Sequence, residues 1–131
     1  MARTTLATIL IVALIPLAAR AADGELLEAA RANDTARVQV LLGHGADPDA
    51  RDENGATALM FAAAYGHADL ARLLVAGGAD VHLSGPIGNT ALHYATQEGH
   101  TEVARILVEN NADAHARSES GGTPMAYAMG W

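Results

Sequence analysis

Gly88-Asn89-Thr90-Ala91-Leu92-His93-Tyr94-Ala95 is the stretch whose neighbours decide the fold. Thr90 lies 33 residues after Thr57 and 33 before Thr123, and Gly88 and Leu92 recur at the same step as Gly55, Gly121, Leu59 and Met125. Further along each unit Ala46-Asp47, Ala79-Asp80 and Ala112-Asp113 keep that spacing, and Gly66-His67 returns as Gly99-His100. A single offset shared by so many positions marks one structural unit repeated along the chain.

Each unit reads as two helices and an extended arm. Thr57 is placed to cap a short helix, Ala58 to Tyr65, by accepting from backbone N–H groups of the first turn. Gly66 ends it, because the residue after the last turn commonly needs φ > 0, and Asn33 holds the equivalent place in the first unit. A second helix from Ala68 to Ala76 buries Leu70, Leu73 and Leu74 at helical spacing, and Gly78 stops it. An arm then runs through Ala79-Asp80 to a tip at Pro86, Ile87 and Gly88. One unit of this size cannot bury its own apolar face, so neighbours must stack.

Thr90-Ala91-Leu92-His93-Tyr94-Ala95 resembles the Thr-Pro-Leu-His-x-Ala signature of the ankyrin repeat, and Thr123-Pro124-Met125 keeps the Pro. The resemblance implies an all-α repeat solenoid of helix-turn-helix units joined by β-turn arms. It implies four units: a cap from Gly24 to Ala50, full repeats from Arg51 to Ser84 and Gly85 to Arg117, and a partial one from Ser118 to Trp131. Met60 and Ala126 replace the signature His, so only His93 is expected to make the family's structural tie. In the cap, Arg37 stands where later units have Leu70 and Val103, as a solvated outer face requires. The sequence stops at Trp131 as the fourth unit's first helix closes. Its expected apolar edge belongs either to a longer array or to a surface covered by a partner or by self-association.

Residues 1–21 read as an export signal. Arg3 is followed by an uncharged run from Leu6 to Ala19, too short to span a bilayer comfortably, and Ala19-Arg20-Ala21 sets a cut before Ala22. The character of the segment points to a bacterial periplasm or secretion. The expected mature domain is 22–131, in which six Arg remain against fifteen Asp and Glu, a net charge of −9. No Lys occurs, and the whole chain carries −7. Such a surface repels phosphate backbones and anionic lipid, so neither nucleic acid nor a membrane is expected as a partner after the leader is removed.

Chemistry at a site finds little purchase in the pattern. Without Cys there is no thiolate nucleophile or thiolate zinc site. His67 and His100 occupy equivalent places in stacked units roughly 8–10 Å apart, too far to share one metal ion. Both are expected to order turns, as are His82 and His115 in the arms. Ser84, Ser118 and Ser120 are expected at exposed arm tips with no base and orienting carboxylate behind them, so no enzyme, cofactor or metal is expected. The column Phe61, Tyr94, Tyr127 is expected in the core.

The resemblance places partner contacts on the concave face made by arms and first helices. The candidates are Glu53, Asn54, Tyr65, Pro86, Ile87, Asn89, Gln97 and Glu98, with Ala56, Ala64, Gly77 and Asn110 beside them. Tyr65 and Ile87 are its large apolar members. The expected function is an exported scaffold that binds a protein of basic or mixed apolar surface. The alternatives are a secreted effector or toxin-associated module and a regulatory or inhibitory subunit of an exported enzyme.

Overall fold

The structure is a computed structural model that describes residues 21–129. All but the last residue of the expected export signal therefore lies outside the described residues. Helix α1 runs over 21–31, α2 over Thr35–Gly43, α3 over Ala58–Tyr65, α4 over Ala68–Ala76, α5 over Ala91–Gln97, α6 over Thr101–Glu109 and α7 over Pro124–Ala128. α1 already includes positions 21–23, ahead of the Gly24 boundary.

The local chemistry repeats with the period. Thr57, Thr90 and Thr123 each cap a helix, their hydroxyls accepting from the backbone N–H of Met60, His93 and Ala126. Gly66 ends α3 at φ 75° and Asn33 follows α1 at φ 53°, the left-handed conformation that both positions require. Between second helix and arm, the carboxylates of Asp47, Asp80 and Asp113 accept from the backbone N–H two residues on, at 2.9, 2.9 and 2.8 Å. This turn fixes the backbone of His82 and His115 and explains why Asp recurs there. Equivalent backbone bonds close the arms, from Asp52 N to Ala56 O, Gly85 N to Asn89 O and Ser118 N to Gly122 O, all 2.9 Å.

Packing forms two rows. α3, α5 and α7 lie side by side in the first-helix row, and α2, α4 and α6 form the second-helix row beneath it. The core between them is Leu, Ala and Val: Leu59, Leu70, Leu74, Leu92, Val103 and Leu107 are all essentially inaccessible. Small Ala side chains, among them Ala58, Ala62, Ala63, Ala71, Ala91 and Ala95, let the helices approach closely. Leu73 is only half-buried, because its side of α4 turns partly to solvent. Arg37 is exposed and pairs with Glu25 at 3.6 Å, in keeping with a polar outer face on the first unit.

Candidate functional site

The arms and the first-helix row enclose a depression of about 260 Å³ lined by Asp52, Asn54, Phe61, Tyr65, Pro86 and Tyr94, among others. Five of the expected contact residues, Asn54, Ala56, Ala64, Tyr65 and Pro86, are thereby brought to one place. Glu53, Ile87, Gln97 and Glu98 are exposed but do not line it. Ala56 is buried and Ala64 half-buried, so their side chains offer little; Gly77 and Asn110 are exposed.

Asn89 is a correction. It is 2% exposed, and its Oδ1 has no hydrogen-bond partner among the described residues. Its position just before the Thr90 cap turns the side chain inward, beside the Tyr94 hydroxyl. Burial pushes the Tyr94 pKa up, and the Asn89 hydrogen bond works against that rise. Asn89 therefore lies beneath the face, not exposed on it as the candidate set expects.

The aromatic column also differs from a simple core. Phe61, Tyr94 and Tyr127 are half-buried: Phe61 and Tyr94 pack on the core with one side and line the depression with the other. The Arg31 guanidinium sits 4.8 Å from the Phe61 ring centroid and reaches Asp52 at 2.8 Å, so one cation fixes the first helix against the first arm. Asp52 is braced further by the N–H groups of Asn54 and Ala56, both 2.9 Å from Oδ1. Burial alone would raise the Asp52 pKa, but those two N–H groups and Arg31 outweigh it and hold the carboxyl below its ordinary value of 3.8.

The second arm is built differently. Gly85 replaces Asp52, because a Cβ there would lie 2.6 Å from the Met60 Sδ and 3.0 Å from the Gly55 carbonyl. Met60 itself stands where the third unit has His93. The tip folds as a single 3-10 turn, Pro86–Gly88, in which Ile87 adopts φ 54° and ψ 24°. A β-branched side chain is strained in that region by about 1–3 kcal/mol. Ile87 nevertheless remains 64% exposed, and Tyr65 is 59% exposed. Both are the large apolar residues that the sequence places at the face, but the strain at Ile87 has no signal in the pattern.

Histidines act as ties. His93 is wholly buried, with the Thr90 N–H donating to Nδ1 at 3.0 Å and Nε2 donating to the Gly122 carbonyl at 3.1 Å. Both nitrogens are committed to hydrogen bonds, which leaves neither free to act as a base. His100 Nε2 bonds the Ala64 carbonyl at 3.0 Å and so pins the end of α3 to the next unit. His67 lies against Tyr65, ring centroids 5.9 Å apart. Ser118 corrects a second expectation: it is 7% exposed, its hydroxyl 2.9 Å from that of Ser120. Among the described residues no three His, Asp or Glu side chains converge as metal ligands, and no helix is long and apolar enough to cross a membrane.

No curated protein matches the chain closely enough to be compared with it. The family described as ankyrin repeats, in three copies, matches residues 26–118 and 78–130, which together take in most of the sequence. Its members are in general protein-interaction modules and typically scaffolds without catalytic activity. With the 33-residue period, the Thr caps, the His93 tie and the two helix rows, this match identifies the chain as a member of the ankyrin-repeat family.

Proposed function

We propose that this chain is an exported scaffold that recognises a protein partner through the face formed by its arms and first helices. Ile87 carries the reading. A strained, β-branched, largely exposed residue at an arm tip lowers stability without contributing to the core, which is the pattern of a side chain kept for contact. Tyr65, which lines the depression, supplies a second large apolar surface, and Glu53 and Glu98 are exposed acidic residues of the candidate set; this combination suits a partner with apolar and basic groups. Export rests on the leader character of the first 21 residues, and the proposed location is the bacterial periplasm or the exterior.

Capture from a periplasmic extract on the full mature domain tests this, with the captured protein then titrated against variants. Tyr65→Ala and Ile87→Gly should each weaken binding by about 1–2 kcal/mol. Ile87→Gly should do so without lowering the unfolding midpoint, because glycine relieves the positive φ. Val40→Ala, exposed on α2 in the other row, should leave binding unchanged. Loss with Val40→Ala alone, or a partner found only in the cytoplasm, would overturn the reading.

A further inference from the structure

The depression at the arms has a counterpart one repeat earlier, and there it is filled. Arg31, at the end of α1, lays its guanidinium 4.8 Å from the centroid of the Phe61 ring and reaches Asp52 at 2.8 Å. Thirty-three residues on, the same three positions hold Ala64, Tyr94 and Gly85. The ring is kept, while the cation that covers it gives way to a methyl group. Ala64 and Tyr94 both line the depression, so its space corresponds to the one that a guanidinium takes in the unit before. Phe61 and Tyr65 add two further rings to the lining, and aromatic π systems attract cations.

Acceptors for the donors of such a group are at hand. Asp52 lines the depression, and its carboxylate takes three hydrogen bonds, from Arg31 and from the N–H groups of Asn54 and Ala56, where about four can be accepted. Asn54, in the same lining, carries an amide oxygen that can take another. The volume of about 260 Å³ is below the roughly 300–1,000 Å³ of pockets that enclose a whole drug-sized ligand, so it fits a single side chain. A net charge of −7 over the chain favours a cationic one.

We propose that the depression is a subsite for one arginine side chain of the protein partner, seated over Tyr94 as Arg31 is seated over Phe61. This rests on the scaffold reading above and adds the group that the partner must present. Lysine is the poorer fit, because a compact ammonium neither stacks on a ring nor donates in one plane to two acceptors.

The probe is a capped Gly-Arg-Gly tripeptide titrated into the full chain, with the tyrosine ring protons followed by NMR. Saturable shifts at Tyr94 and Tyr65 are expected, with binding at least about threefold weaker for Gly-Lys-Gly and absent for Gly-Leu-Gly. Tyr94→Phe keeps the ring and should stay within about twofold, whereas Tyr94→Leu should lose at least about fivefold. Tyr94 packs partly on the core, so the decisive variant is Ala64→Arg, which gives the second repeat the guanidinium of the first. It should melt unchanged, abolish tripeptide binding and move the Tyr94 ring protons as the arginine tripeptide does. Ala64→Met, of similar reach but uncharged, should not reproduce that shift. No saturable shift, equal binding of the leucine tripeptide, or an Ala64→Arg shift no different from that of Ala64→Met would overturn the proposal. So would a dimer in sedimentation that Ala64→Arg converts to monomer, since the arginine would then come from a second copy. A captured partner that binds Ala64→Arg as well as the unaltered chain overturns the subsite and leaves the scaffold reading intact. Tripeptide binding with no protein captured does the reverse: it supports the arginine subsite and fails the scaffold reading.

Discussion

The step from the second repeat to the third and the step from the third to the fourth use the same sequence positions and reach different ends. At the earlier step both rows continue: α5 covers α3, α6 covers α4, His100 holds the Ala64 carbonyl, and Arg72 meets Glu102. At the later step α7 covers α5, and the arm continues through His93 to Gly122 and from Glu119 N–H to the Ile87 carbonyl at 3.0 Å. Nothing among the described residues continues the second-helix row beyond α6. Identical chemistry is therefore structural where a neighbour lies on it and available for contact where none does.

The largest consequence concerns one register position. Leu92 is 2% exposed under this packing, whereas Met125, its equivalent, is 45% exposed. Leu92→Ala should cost about 2–5 kcal/mol by leaving a cavity that close-packed helices cannot collapse. Met125→Ala should change stability by no more than about 0.5 kcal/mol. Urea titrations of the two variants make the test; equal losses would show that the later step is as well covered as the earlier one.

A glycine pair sharpens the contrast. Gly66 and Gly99 have nearly the same backbone, φ 75° and 73°, so an added side chain strains both alike. The space around them differs: a Cβ at Gly66 would lie 2.6 Å from the His100 Nδ1, while at Gly99 nothing lies within 4 Å. Gly99→Ala should cost about 1–2 kcal/mol from backbone strain alone. Gly66→Ala should cost about 2–4 kcal/mol, because His100 must also leave its bond to Ala64. Equal costs in thermal or chemical unfolding would mean that His100 moves freely and does not join the repeats.

How much of this was legible beforehand follows from the range of the interactions involved. The bounds of α3 and α4 agree with the sequence reading because caps and terminators act within four residues, as at Thr57 and Gly66. The stacking of units was legible because the period repeats each short-range signal. What stayed hidden depends on partners a whole unit away. Gly85 is shaped by Met60, and Arg72 is held by Glu102 thirty residues on. The inward turn of Asn89 and Ser118 likewise depends on how each arm folds back on its helix, which neither polarity nor spacing encodes. Among the candidate contact residues, sequence could name the exposed Tyr65 and Ile87 but could not separate them from the buried Asn89.

The smallest expected effect is electrostatic and isolates the second-helix row alone. Arg72 and Arg105 are one repeat apart, both about half exposed or more, and both lie within reach of Glu102. Arg72 approaches it across the helix interface and also holds Asp69 at 3.1 Å, whereas Arg105 approaches along its own helix at 3.6 Å. Exposure and salt keep such pairs weak, so Arg72→Ala should cost about 0.3–1 kcal/mol. Arg105→Ala should fall below about 0.3 kcal/mol, since a longer contact within one helix joins no second element. Double-mutant cycles with Glu102→Gln separate the coupling from other effects of each substitution. The Arg72–Glu102 coupling should exceed that of Arg105–Glu102 at low ionic strength and shrink toward it in 1 M salt, where charges beyond about 3 Å are screened. A larger coupling at Arg105 would mean that Glu102 favours its own helix over the neighbouring repeat and that the pair does not join the second-helix row.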